Sequence, residues 1–268
     1  MSVKESVLRP LSSSTQVATG HLRQLGLLAS FFASTCMRLV TPRWHIRNTI
    51  EQIEFIGYRS LSVIAVAGMF VGMVVALQFH ATLVRFGSVS LMGSAVGMSL
   101  VRELGPILTA LILIGRAGSA VCAEIAIMRN DNQIDALESM AIDPYRYLMA
   151  PRLLAFAISG PLLTAIFISI GIFGGWLISV AVFDLNPGAY FHSMANAVTV
   201  GDLFMGLIKS IVFSLIIVWL CSAIAFLMHE REKPLFGAAG VSSATTSAVV
   251  MSSIVVLFAD YIISALLI

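Results

Sequence analysis

Four ionisable side chains lie inside runs that are otherwise uncharged and apolar: Arg102 and Glu103 side by side, Lys209, and Asp260. The segments flanking the Arg-Glu pair, Phe86–Val101 and Leu104–Gly115, contain no Asp, Glu, Lys or Arg. A charge at the centre of a lipid-spanning helix costs from about 2.5 to 17 kcal/mol depending on how it is measured, so such groups face a protein interior or water and find partners. Neighbouring residues on a helix do not face each other. Arg102 and Glu103 therefore each need a partner on another element. The pairing expected is Glu103 opposite Lys209 and Arg102 near Asp260. A purely structural role, stapling helices, is the competing reading, and Lys209 alone has the length to snorkel toward headgroups.

Other chemistries find little support. No GxxxxGK[ST] phosphate loop is present, and none of the three lysines (Lys4, Lys209, Lys233) follows a glycine. The chain is not expected to bind ATP in the P-loop manner. There is no GxSxG, no HExxH and no paired-carboxylate pattern. Three separated cysteines (Cys36, Cys122, Cys221) and five scattered histidines offer neither a disulfide framework nor a zinc site. No catalytic residue, no metal and no cofactor in this chain is expected, and no nucleic-acid partner.

The elements that must position the charges are read from hydropathy. The 268 residues are 58% hydrophobic and 11% charged, with mean hydropathy +0.95, against about 25% charged in soluble domains. About 20 mostly apolar residues cross a bilayer. Five windows qualify: 61–79, 91–115, 153–183, 203–228 and 248–268. The fold class expected is an all-α integral membrane protein. Lys and Arg concentrate before the first window, between the second and third, and between the fourth and fifth. The intervening loops hold only Arg85, and the C-terminus holds none. The positive-inside rule then places the N-terminus in the cytoplasm and the C-terminus outside. In that orientation Arg102, Lys209 and Asp260 lie about 17, 9 and 12 Å from the outer ends of their spans at helical rise, in the middle to outer membrane.

Two further helices are expected. Leu22, Leu25, Ala29, Phe32, Cys36 and Leu39 recur at three- and four-residue steps near Arg23, Arg38 and Arg43, which suggests an interfacial amphipathic helix within an N-terminal segment 1–48. The cytoplasmic stretch MRNDNQIDALESMAIDPYRYL suggests a short helix over 131–142, capped by Asn130 with Gln133 three residues on. Ile134, Leu137 and Ala141 form its apolar stripe; Asp131, Asp135 and Glu138 form an acidic one. Asp143-Pro144 ends it and starts the next helix. Three acids match an anionic leaflet poorly, so a protein groove is the better fit. Beyond the third window, Pro187 is placed to start another short helix carrying Tyr190, Phe191 and Met194.

The segment VRELGPILTALILIGRAGSAVCAEIAIMRNDNQIDALESMAIDPYRYLMAPRLLAF, Val101–Phe156, resembles the core signature of the MlaE/YrbE permeases. GMFVGMVVALQ, LIKSIVF and AGVSSATT extend the resemblance over nearly the whole chain from about Thr49, a domain of 49–268. One departure is Ser243, where family members often carry a basic residue. The resemblance implies a homodimeric permease in the bacterial inner (plasma) membrane, with a separate cytoplasmic ABC ATPase that binds ATP and Mg, a periplasmic MCE-domain ring and often a STAS-domain subunit. The implied cargo is phospholipid or a related lipid, moved between inner membrane and periplasm or outer membrane, with a role in outer-membrane lipid asymmetry. It also makes the 131–142 segment the coupling helix that enters the ATPase, so that Arg129, Asp131, Ile134, Asp135, Leu137 and Glu138 become coupling residues. Arg102, Glu103, Lys209 and Asp260 are then expected to form a polar belt around an outward-facing lipid cavity. The alternatives are an ion-gradient-coupled transporter, with Glu103 and Asp260 as ion sites, and a non-transporting scaffold.

Overall fold

The structure, a computed structural model, describes residues 26–38, 46–230 and 236–267. Leu22, Leu25 and Leu39 lie outside them. Among the described residues there are helices and no strands. Helix α1 covers 26–38. The five long apolar helices are α2 (Ile46–Arg85), α3 (Val89–Asn130), α5 (Tyr145–Ala181), α7 (Val200–Phe226) and α8 (Gly237–Leu267). Two short helices complete the set, α4 (Gln133–Ser139) and α6 (Pro187–Ala197).

The helices outrun the apolar windows at several ends. Window 61–79 becomes a helix from Ile46, and window 91–115 continues to Asn130. Hydropathy marks where lipid contacts the chain, whereas a helix persists for as long as its backbone bonds are made. Side chains set the starts of α6 and α7. Asn186 accepts from the backbone N–H of Gly188 and Ala189, with Pro187 at the first position of α6. Thr199 and Asp202 form a reciprocal capping box at the start of α7. Asp143 Oδ1 accepts from Tyr145 N at 3.0 Å, as the Asp-Pro pattern predicts. Asn130, by contrast, belongs to the last turn of α3, and its Oδ1 accepts from Gly237 N at 2.7 Å. The expected cap of α4 thus secures the start of α8; α4 begins after Asn132 in the left-handed region.

Four π-helical turns interrupt the α pattern: Glu54–Tyr58, Leu100–Leu104, Ile114–Gly118 and Tyr145–Met149. Such turns are rare and collect at functional sites. Here they hold Arg102 and Glu103 in one case and Arg116 in another. Arg116 Nη1 donates to the carbonyl of Phe55 (2.7 Å) and to Ser60 Oγ (2.6 Å), so the π turn of α3 is bound to that of α2.

Glycines let helix backbones touch, as membrane packing requires where no hydrophobic drive separates lipid from protein. A Cβ on Gly72 of α2 would land on the Gly171 carbonyl of α5, and one on Gly174 would land on Met69 O. Gly93 meets the Tyr190 backbone of α6 in the same way. Tyr190 is fully buried, its hydroxyl donates to Ile172 O at 3.3 Å, and burial pushes that hydroxyl above its usual pKa range. Helix α1 lies against α7, with Trp219 Nε1 donating to Leu28 O at 2.8 Å. Its most buried residues are Phe31 and Thr35, off the stripe expected from the spacing, because Phe31 inserts between Tyr145 and Phe226.

Gly72→Ala is expected to cost about 1–3 kcal/mol by overpacking and to lower the thermal unfolding midpoint. Gly115→Ala, where an added Cβ meets nothing within 4 Å, is expected to leave the midpoint unchanged or raise it. Equal midpoints for the two would contradict the close α2–α5 contact.

Candidate functional site

The buried ammonium of Lys209 on α7 gathers three helices. Its Nζ lies 2.6 Å from Glu103 Oε2, 3.0 Å from the Arg102 carbonyl, 2.8 Å from Ser264 Oγ and 2.9 Å from Asp260 Oδ1. An ammonium has three hydrogens. Glu103, the Arg102 carbonyl and Ser264 are aligned to accept them, and Asp260 Oδ1 stands at ion-pair distance as a fourth oxygen around the ammonium. The Arg102 carbonyl is free for this role for a covalent reason. Its α-helical donor would be the N–H of residue 106, which is Pro106. Ser264 also donates to the Asp260 carbonyl one turn back, at 2.8 Å.

Arg102 itself turns elsewhere. Its Nε donates to Asp202 Oδ1 at 2.6 Å, and Asp202 is 5% exposed. Asp202 Oδ2 meanwhile accepts from the Thr199 backbone N–H and hydroxyl, both at 2.8 Å. One carboxylate thus caps α7 and anchors the arginine. Among the described residues the terminal nitrogens of Arg102 have no protein acceptor. A half-open cavity of about 450 Å³ lies elsewhere, between α2 and α3; beside Arg102 there is one of about 360 Å³, lined by Asp202, Phe204, Met205, Ile208 and Leu267 as well.

Two corrections to the expected belt follow. Glu103 does meet Lys209, but Arg102 pairs with Asp202 and not with Asp260. The Arg102 side chain reaches the start of α7, where Asp202 lies, while its carbonyl serves Lys209. Lys209 is fully buried and lines neither cavity, and of the four belt residues Arg102 alone borders the 360 Å³ one. Asp202, which the sequence reading missed, makes five charges in the cluster, with one carboxylate in excess.

On the opposite end of the bundle, Ile134 is fully buried and Leu137 packs on the same core. Ile134 and Leu137 of α4 therefore pack on the core of their own chain. Arg129 Nη1 pairs with Asp135 Oδ1 at 2.6 Å and lies 5.5 Å from the Phe226 ring. Glu138 of α4 is exposed, as are Asp131 and Met140 on either side of the helix. Arg38 of α1 joins this end: its Nε is 2.5 Å from Asp143 Oδ2, and its guanidinium is 4.5 Å from the Tyr145 ring.

Five membrane-length helices stapled by buried ions, with a cavity bordered by one arginine, define a multi-pass helical membrane protein. The Permease MlaE family model matches residues 49–266, and the chain belongs to that family. It is 38% identical over 226 residues to the intermembrane phospholipid transport system permease protein of Haemophilus influenzae, covering 84% of each chain. It is 38% identical over 244 residues to a probable ABC transporter permease protein of Rickettsia prowazekii, covering 91% of this chain and 92% of that one. It is 34% identical over 229 residues to the Arabidopsis thaliana chloroplastic protein trigalactosyldiacylglycerol 1, covering 85% of this chain and 64% of that one.

Asp202→Ala removes both a helix cap and the carboxylate beneath Arg102, and is expected to destabilise by about 1–3 kcal/mol. Asp202→Asn keeps an acceptor oxygen for the cap and is expected to lose about half as much. Thermal unfolding of the two variants in detergent checks the ranking; an unchanged midpoint for Asp202→Ala would refute the double role.

Proposed function

We propose that the chain is the permease subunit of an ATP-driven ABC transporter that moves phospholipids between the inner membrane and the periplasm or outer membrane. It works as a homodimer with a cytoplasmic ABC ATPase, which binds the ATP and Mg, and with a periplasmic MCE-domain ring. Its role is to maintain outer-membrane lipid asymmetry. The N-terminus is cytoplasmic and the C-terminus periplasmic, in keeping with the Lys and Arg distribution.

The observation that carries this reading is Arg102. Its Nε is fixed by Asp202, its terminal nitrogens lack a protein acceptor among the described residues, and it borders a cavity whose other walls include Phe204, Met205, Ile208 and Leu267. A guanidinium edge beside an apolar wall suits a phosphate headgroup with acyl chains attached. The Glu103–Lys209–Asp260 cluster fixes the helices around that edge and does not itself contact lipid. At the cytoplasmic end, Asp131 and Glu138 meet the ATPase, while Ile134, Leu137 and the Arg129–Asp135 pair hold α4 in place. Arg38–Asp143 ties the interfacial helix to the same loop, so motion of α4 is passed to α1 and, through Phe226, to α7.

Co-expression with the ATPase and reconstitution into vesicles test the reading. ATP-dependent transfer of fluorescent phospholipid is expected, and Arg102→Gln is expected to lower it at least roughly tenfold, equivalent to 1.4 kcal/mol. Glu138→Lys is expected to reduce co-purified ATPase while leaving the permease folded. A chain that brings down no ATPase and moves lipid equally well without ATP would sink the proposal and favour a gradient-driven transporter.

A further inference from the structure

A second polar cavity, of about 450 Å³, opens at the other end of the bundle between α2 and α3. Glu51, Glu54, Phe55, Arg59 and Glu124 are among its lining residues. By the charge distribution this is the cytoplasmic end, and Arg59 stands immediately before the apolar run that starts at Leu61. The cavity is therefore level with the inner-leaflet headgroups.

Its charges are unevenly satisfied. Glu51 pairs with Arg47 at 3.1 Å, and Glu124 pairs with the buried Arg152 at 2.9 Å. Glu54 has no cation within ion-pair distance among the described residues, and Arg59 has no carboxylate. The Arg59 guanidinium is instead 5.6 Å from the Phe55 ring, and that of Arg116 is 5.5 Å from the same ring. Arg116 in turn is bonded, among the described residues, to neutral acceptors, the carbonyls of Phe55 and Ile56 and the hydroxyl of Ser60. Two guanidinium groups share one aromatic ring, neither with a carboxylate partner among the described residues; although three glutamates line the cavity, Glu51 and Glu124 are answered by Arg47 and Arg152, so the side next to Phe55 favours an anion. Glu54, five residues before Arg59 and on the same cavity wall, offers a separate carboxylate that does not close onto it. Exposed apolar side chains adjoin on the same helix, at Ile50, Tyr58 and Leu61.

From this we infer that the cavity is a headgroup site for an amine-bearing phospholipid of the cytoplasmic leaflet. Arg59 takes the phosphodiester, with Arg116 behind Phe55 adding field. Glu54 takes the ammonium, and the acyl chains run along the exposed face of α2. A zwitterionic lining selects a zwitterionic headgroup over an anionic one, because an anionic lipid leaves Glu54 unanswered and repelled. The site rests on the phospholipid reading only for the class of ligand, and it is separate from the Arg102 cavity.

The test is lipid retention by the full-length chain in mild detergent, without nucleotide, read by native mass spectrometry during titration with dioleoyl phosphatidylethanolamine or dioleoyl phosphatidylglycerol. The unaltered chain is expected to retain the ethanolamine lipid roughly tenfold better, equivalent to 1.4 kcal/mol. Glu54→Gln is expected to abolish that preference while leaving glycerol-lipid retention in place. Arg59→Gln is expected to weaken both, and Arg59→Lys to restore part of the loss. Glycerophosphoethanolamine, which has the headgroup and no acyl chains, is expected not to compete at equal concentration; competition would mean a site for free phosphate esters and would overturn the lipid assignment. Equal retention of the two lipids, or a pattern that neither Glu54→Gln nor Arg59→Gln alters, would also overturn it. Since no transport is measured, a failure of ATP-driven transfer leaves this result standing.

Discussion

An ammonium group with no exposure sits where α3, α7 and α8 meet, and the surrounding lipid offers it no solvation. Lys209 must therefore be answered by protein, and the answer dictates how these three helices meet. Glu103 and Asp260 have to approach from different helices. Ser264 has to lie one turn beyond Asp260 on α8. The Arg102 carbonyl has to be unoccupied, which Pro106 ensures by lacking an N–H. A buried charge group of this kind adds little net stability over an apolar packing of equal shape, yet removing one member leaves an uncompensated charge and is strongly destabilising. Its value lies in fixing one arrangement of three helices.

That arrangement separates two tasks which adjacent residues of one helix perform together. Glu103 faces inward to the lysine, and Arg102 faces the start of α7, where Asp202 fixes it at a cavity edge. Both residues lie in the π turn over Leu100–Leu104, and adjacent helical positions point in different directions. Glycines contribute the complementary half of the geometry. Gly72 against Gly171, and Gly93 against Tyr190, bring α2, α5, α3 and α6 to backbone contact, so the charged helices pack on a tightly joined frame. At the end of the bundle away from Lys209 an aromatic group of Phe31, Tyr145 and Phe226 joins α1, α5 and α7. Through Arg129 over Phe226, the end of α3 beside α4 touches the same cluster.

The five spans were legible because lipid burial forces long apolar runs, and Glu103–Lys209 was legible because intramembrane charges have few possible partners. Asp202 was missed for a definable reason. The apolar window of the fourth span begins at Leu203, so its neighbour reads as a loop residue. The signal that finds it is Thr199-Val-Gly-Asp202, a capping-box spacing just ahead of an apolar run. The Arg102 partner went wrong with it. The stripe of Ile134 and Leu137 shows a different limit. Periodicity reveals an apolar face, but whether that face meets its own chain or another depends on where the helix folds back, which spacing does not encode. Asn130 likewise has the right type for a cap, and only the tertiary structure shows that it serves Gly237.

The dependence of the bundle on Lys209 is tested most directly by the thermal unfolding midpoints of Lys209→Met and of the triple variant Lys209→Met, Glu103→Gln, Asp260→Asn. The single substitution strands two carboxylates in the spanning region and is expected to lose about 3–5 kcal/mol, whereas neutralising those carboxylates in the triple variant is expected to recover most of the loss. A Lys209→Met chain that melts like the unaltered protein, or a triple variant no more stable than the single one, would contradict an ammonium-centred joint between α3, α7 and α8.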